Sequence, residues 1–393
     1  MVAYGCRRLT GRAMPEPELT WRQKWKTNYI LSGCRRVRLP QGYFRPVASH
    51  LAVIDDFQNL SPLIWNQHDS TRLPLPKTVT GRASRLGPWH PPEASFLLKV
   101  DDGFVAPDGL VFDNRSAYRN GRWFYQPPPE GLTVERYDRL LTLVQLWGHR
   151  FIHFSFDTLP RIDIAFDFLR TDKDVCILVP DAGFYKTIFE SFGIDPGRLV
   201  FSRPDRLYAA KTVYYPHFYS AGRPHQMGLL PQDAFQHLRC FLAPKEGEKD
   251  DLIVYLKRQP PATRTVANET ELLTSIERRL KPGYRLKVYA PVNNWRQDRT
   301  VMHKARVVFG PHGGAWCNIV FCRPGTDVVE FLPLIRLRDA GKNERPCYYG
   351  LACGLGLQYW TIDPDNFYFD RPAAMEVPVQ EVLTVFEKIG IVE

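Results

Sequence analysis

No run of 18 apolar residues occurs in this sequence, which removes a membrane-spanning helix from consideration. The N-terminal stretch MVAYGCRRLTGRAMPEPELTWRQKWK lacks even a seven-residue apolar segment and does not read as a secretory signal, so a soluble, cytoplasmic protein is the expectation. None of the eight cysteines forms a C-x-x-C pair, which argues against a zinc ribbon or a disulfide scaffold and leaves buried thiols as the expected state. His303 and His312, near Cys317 and Cys353, fit no zinc spacing. Blocks of five consecutive basic residues are also missing. The charge of +10 is therefore dispersed, densest at Arg35-Arg36-Val37-Arg38 and Arg278-Arg279-Leu280-Lys281, so nucleic acid is not the expected partner. Phosphorylated substrates and anionic lipid are the other groups that such a surplus can meet.

The chain has 393 residues, 44% of them hydrophobic and 24% charged, which is material for two or three domains with full cores. Residues 1–48 are basic and aperiodic and read as an extension. From His50 to Pro129, short runs such as Leu51–Ile54, Ser95–Val100 and Gly109–Phe112 between Asp, Gly and Pro predict strands. Tyr137, Leu140, Leu141 and Val144 predict a helix over Val134–Trp147, and Phe151–Leu169 predicts helices broken or kinked at Pro160. Strand and helix then alternate: Val175–Val179, Phe184–Phe192, Leu199–Phe201, Pro231–Leu242. The polar run Ala243–Asp251 predicts a domain boundary. Beyond it the alternation resumes with strands at Leu252–Leu256, Leu286–Tyr289, Arg306–Phe309 and Val328–Phe331. Helices are expected at Asn268–Leu280, capped through an Asn268/Glu271 box, and at Arg296–Lys304, Gly314–Phe321 and Val379–Ile389. The expected fold class is α/β, with domains at 49–243 and 244–393 facing each other across a cleft and ligands at the carboxyl ends of parallel strands.

Chemistry concentrates in a few segments. A strand runs through Gly310-Pro311-His312-Gly313-Gly314 into a helix; this reads either as an anion site, with unpaired backbone N–H groups facing the strand end and His312 adding a donor, or as a tight turn with glycines for geometry alone. Glu330 stands in an otherwise apolar run, where a carboxylate needs a partner; ribose hydroxyls or an Arg would serve. Lys257, Arg258 and Arg264 follow a parallel strand and should share that rim, where they could neutralise a diphosphate. His153 and Asp157 are spaced i, i+4 on one helical face, an imidazole–carboxylate pair fit for general base work or for a structural contact. Asp363-Pro364-Asp365 has metal-binding D-x-D spacing but comes too late in the chain to hold a diphosphate, and cations make a metal dispensable.

These residues together resemble glycosyltransferase family 61. The likeness is carried by His153-x-x-x-Asp157-x-Leu-Pro, then Arg258 with Arg264-x-x-x-Asn268-Glu269. It continues through Gly310-Pro-His312-Gly-Gly-Ala-x-x-Asn318-x-x-Phe and Val329-Glu330-x-x-Pro333. The family includes plant xylosyl- and arabinosyltransferases, animal protein O-GlcNAc transferases and microbial or viral surface-glycan enzymes. The resemblance implies a GT-B-like fold of two Rossmann-like domains, the first on the acceptor side and the second binding the nucleotide sugar. It also implies a UDP-linked donor, a glycan or lipid-linked acceptor, inversion at the anomeric carbon and no required cofactor. Arg258, Arg264, Asn268, Glu269, His312, Gly313, Gly314, Asn318 and Glu330 become donor-site candidates. Asp157 is the favoured base with His153 placing a substrate, and the reverse assignment stays open. Gly314-Ala315-Trp316-Cys317 departs from the family's usual Ala-Gly-Leu-Thr, and no secretory anchor of the Golgi and ER members is seen. Peripheral membrane contact through the basic arm fits a lipid-linked acceptor. The alternatives are a nucleotide- or anion-binding protein without turnover and, behind it, a nucleic-acid binder.

Overall fold

The computed structural model describes residues 52–54, 62–69, 73, 76–79, 90–118, 132–145, 147–219, 228–231, 234–243, 251–258, 264–291, 294–332, 347–364 and 374–393. The basic arm, the Pro127–Pro129 triplet, Pro333, Asp365 and most of the expected boundary segment lie outside the described residues. Two compact units result, and neither is a continuous piece of chain. Of the described residues, the first gathers those within 52–66, 94–150 and 167–219; the second gathers those within 67–93, 151–166 and 228–393. The expected division near residue 243 therefore differs from the observed one, chiefly because Phe151–Phe166 packs with the C-terminal half.

The first unit is built on a nine-stranded mixed sheet. Its strands are β1 (Ala52–Ile54), β2 (Ile64–Gln67), β3 (Ala94–Val105), β4 (Val111–Phe112), β5 (Ser116–Tyr118), β6 (Thr133–Thr142), β7 (Cys176–Val179), β8 (Leu199–Phe201) and β9 (Arg206–Tyr219). They run in the order β1-β5-β4-β3-β9-β6-β7-β8, with β2 beside β3. Antiparallel pairing from β5 to β9 gives way to parallel pairing from β9 to β8. The long strand β9, which the sequence did not announce, joins the two halves, antiparallel to β3 and parallel to β6.

The segment predicted as a helix at 134–147 is strand β6. Its apolar residues satisfy helical spacing, but Leu140 pairs with Cys176 on one side and Val213 on the other, so both edges are saturated. Tertiary pairing overrides a local period when both neighbours are in place. Phe96, Leu98, Val100, Val213 and Tyr215 close the core over the same sheet. The predicted helix at Pro231–Leu242 shortens to one turn, Arg239–Leu242.

The second unit holds a five-stranded sheet, all parallel: β10 (Leu252–Leu256), β11 (Arg285–Tyr289), β12 (Ala305–Pro311), β13 (Asp327–Phe331) and β14 (Gln358–Ile362), in the order β11-β10-β12-β13-β14. The strands β10, β12 and β13 are buried almost throughout, as unbroken apolar runs of a covered parallel sheet require. Ile253, Tyr255, Phe309, Val329 and Phe331 pack beneath the helices Glu269–Glu277 and Val379–Ile389 through Leu272, Ile276, Val382 and Phe386. The predicted Asn268 capping box does not form: the Asn268 amide instead donates to Val377 O at 2.9 Å and accepts from Val377 N at 3.0 Å. No helix among the described residues is long and apolar enough to cross a membrane.

Candidate active site

In the second unit the strand order reverses direction between β10 and β12. Doubly wound sheets bind ligands outside the carboxyl ends of such a strand pair. Tyr255 pairs with Phe309, so Arg258 and His312, three residues further along each strand, leave the sheet at the same level. Gly310 holds φ at 146°, and a Cβ there would stand 2.9 Å from the Leu256 carbonyl oxygen, so only glycine lets β12 pass the end of β10 this closely. At Gly313 a Cβ would collide with Nη1 of Arg258, whereas at Gly314 it would meet nothing within 4 Å. The turn thus presents a guanidinium on one side and open space on the other.

The amide that faces this space is fixed by the carbonyl before it. Gly313 O accepts from the Tyr348 hydroxyl at 2.6 Å and from Trp316 N at 3.1 Å. Across a trans peptide the C=O and N–H point in opposite directions, so Gly314 N–H is directed away from Tyr348 and out of the start of the following helix. That helix, Gly314–Phe321, is 3-10 in type. Trp316, the departure from the family pattern, is fully buried beneath the turn and donates from Nε1 to Pro311 O at 3.0 Å, so its bulk supports the turn from inside.

His312 is buried and its Nδ1 lies 2.5 Å from Glu330 Oε1. The other Glu330 oxygen accepts from the Tyr359 hydroxyl. A carboxylate 1% exposed is thereby satisfied by an imidazole and a phenol and not by an Arg. Arg258 is half-buried; burial lowers its pKa and the nearby Tyr348 hydroxyl opposes that shift. Arg264 also acts on Tyr348 electrostatically and holds φ at 66°, a left-handed conformation that costs a residue with a Cβ roughly 1–2 kcal/mol. Burial pushes the Tyr348 hydroxyl well above its ordinary pKa, so it stays a donor.

The remaining donor candidates divide. Asn318 donates to Ala315 O at 3.1 Å, and its buried Oδ1 accepts no hydrogen bond from the described residues. Glu269 is committed elsewhere: its oxygens meet the Tyr255 hydroxyl at 2.9 Å and Lys257 Nζ at 2.7 Å, which also ties down Lys257. Asn268 spends both ends of its amide on Val377. These two residues brace the ends of β10 and of the helix Glu269–Glu277.

His153 and Asp157 meet through Nδ1 and Oδ2 at 3.1 Å, both largely buried. They stand on a helical segment in which Phe154–Thr158 is a π-helix, followed by the helix Leu159–Ile164 with Pro160 in its first turn. The kink expected at Pro160 is therefore taken up one turn earlier, where the i→i+5 bonding leaves proline room. The segment packs on Gly314–Phe321. The Phe156 ring lies 5.3 Å from Tyr348, and Tyr348 lies 5.2 Å edge-on to His312. Tyr348 and Tyr359, which join these groups, gave no motif in the sequence. The run Gln-Tyr-Trp-Thr-Ile at 358–362 carries the aromatic and β-branched signature that could have revealed β14 and, with it, Tyr359.

The span 151–329, from the π-helical segment to β13, matches the family Glycosyltransferase 61. Residues 151–329 are thus similar to glycosyltransferase family 61. No curated protein matches the chain. The family 61 span contains the His153–Asp157 pair, Arg258 and the glycine turn, and it supports glycosyltransferase chemistry for this site; Glu330, Tyr348 and Tyr359 complete the site from beyond it.

Proposed function

We propose that the protein is an inverting glycosyltransferase that moves a sugar from a UDP-linked donor to a glycan or lipid-linked oligosaccharide. The observation that carries this reading is the set of Arg258, His312 and the Gly313–Gly314 turn at the adjoining ends of β10 and β12, inside the family 61 span. The diphosphate takes hydrogen bonds from Gly314 N–H and His312 and charge from Arg258 and Arg264. With two guanidinium groups offsetting the phosphates, the reading needs no divalent ion.

Inversion is a single displacement. The acceptor oxygen forms a bond to the anomeric carbon as the bond from that carbon to the β-phosphate oxygen breaks, and the nucleoside diphosphate leaves with the electron pair. The acceptor proton goes to a base. Asp157 accepting from Nδ1–H of His153 makes Nε2 the basic atom, so the contact favours His153 as base with Asp157 orienting the ring and offsetting its charge. An anionic membrane carrying the acceptor would also suit the +10 charge. Release of UDP from a panel of UDP-sugars, with glycan and lipid-linked acceptors present, tests the proposal. UDP binding with no donor consumed by any acceptor would leave a nucleotide-binding protein instead.

A further inference from the structure

We infer that Glu330 and Tyr359 act on the donor's diphosphate through His312, as a buried relay, and do not hold the nucleotide's ribose. The inference rests on the nucleotide-sugar reading above and adds to it the roles of two residues beyond the matched span. Three neighbouring parallel strands each contribute one member: Tyr359 from β14, Glu330 from β13, and His312 directly after β12. Glu330 pairs in register with Thr361, so Tyr359, two residues earlier on β14, shares its face of the sheet and its hydroxyl reaches Oε2. Oε1 meets His312 Nδ1 at 2.5 Å.

The assignment of donors is forced along this line. Burial first, and the Glu330 charge second, hold the Tyr359 hydroxyl well above its ordinary pKa, so it gives its proton to the contact. An ionised carboxylate only accepts, which makes Nδ1 of His312 its second donor. With Nδ1 committed, the imidazole acts on a phosphate only through Nε2. Glu330 is 1% exposed, so a ribose hydroxyl could reach it only by moving the side chains that cover it. A buried carboxylate behind the imidazole also supplies the countercharge for a His312 that carries a proton on each nitrogen while a diphosphate is bound. As the anomeric C–O bond breaks, negative charge builds on the β-phosphate oxygen, and an Nε2–H hydrogen bond grows stronger with it. No proton need leave the ring. Glu330 and Tyr359 are positioning residues in this scheme, because neither touches the substrate.

Calorimetry on the full chain with UDP, 2′,3′-dideoxy-UDP and inorganic pyrophosphate tests this, using Glu330→Gln, Tyr359→Phe, His312→Ala and the doubles that combine each of the first two with His312→Ala. Glu330→Gln should weaken all three ligands by the same factor, about tenfold, and Tyr359→Phe by a smaller common factor. In the His312→Ala background either change should cost less than about twofold, since the relay then has no terminus. Loss of UDP affinity with dideoxy-UDP unchanged would return Glu330 to the ribose and overturn the relay, as would full additivity with His312→Ala. Should Glu330→Gln fail to fold, the Tyr359→Phe cycle decides by the same criterion. These readouts need no sugar transfer: a coupled cycle in a protein that consumes no donor keeps the relay and ends the transferase reading, whereas wild-type protein that binds neither UDP nor pyrophosphate ends both.

Discussion

The Arg258 guanidinium stands where a side chain on residue 313 would begin, so the glycine and the cation are one device. Gly313→Ala should push the guanidinium aside and weaken UDP binding about tenfold, the cost of a charge-assisted contact, while the flexible end of Arg258 absorbs the clash with little change in Tm. Gly314→Ala meets no atom of the described residues within 4 Å, so its melting temperature should equal wild type. Any loss of UDP affinity there reports a ligand in that space. Calorimetry paired with thermal melts of the two variants checks both statements, and unchanged affinity in both would move the diphosphate elsewhere.

Asp157→Asn keeps an oxygen near His153 Nδ1 but removes the charge. Turnover should fall by roughly 10²–10⁴ with UDP affinity within twofold of wild type. Steady-state kinetics and calorimetry on the same preparation separate the two effects. Normal turnover would make the pair a structural contact between the π-helix and its neighbours.

Glu269 and Asn268 should behave as braces. Glu269→Ala strips the buried Tyr255 hydroxyl and Lys257 of their acceptor, and Asn268→Ala frees the Val377 backbone. Each should lower stability by about 1–3 kcal/mol in urea unfolding with UDP affinity unchanged in the folded protein. A selective loss of UDP binding at wild-type stability would place either residue at the ligand.

Asp163, in the helix Leu159–Ile164, gives a pH signature. Burial raises its pKa to about 6, against the opposing backbone donors of Leu238 and His237 and the nearby His237 ring. An unfolded Asp releases its proton near pH 4, so between pH 4 and 6 the folded chain binds more protons. This site's contribution is fully present below about pH 4 and is lost as pH rises through 6. Asp163→Asn keeps the acceptor oxygen and removes the titration. Its stability relative to wild type should improve by about 1–3 kcal/mol between pH 4 and pH 7, read from urea midpoints at several pH values. A pH-independent difference would mean that the carboxyl titrates alike in both states.

The second unit was readable in the sequence wherever a chemical signal coincided with a period. The strands β10, β12 and β13 are short, mostly apolar runs with glycine, proline or charge at their ends, and the turn after β12 announced itself through His312, Gly313 and Gly314. The parallel sheet was legible for the same reason. What stayed hidden depended on pairing partners far along the chain. Leu140 and Leu141 satisfy a helix and a strand equally well, and only β7 and β9 decide between them. Glu330 advertised a partner, yet its partners are His312, 18 residues before it, and Tyr359, 29 after it, both brought there by strand register. Asn268 carried a capping spacing that its bonds to Val377 displace.

The second unit is sewn from three separated stretches, and this governs how the chain can be made and cut. Phe151–Phe166 emerges from a ribosome before any strand of the sheet it joins, and Ser155, Phe156 and Asp163 find Cys317, Tyr348 and Leu238 only after some 70 to 190 further residues are made. Closing such distant contacts is slow, and the apolar face of that segment stays open until the last strands arrive. A fragment starting at residue 244 would keep the glycine turn but lack the helix that covers Tyr348, so it should express as an aggregating or protease-sensitive piece. Splitting this protein for separate study would have to carry 67–93 and 151–166 along with the C-terminal half.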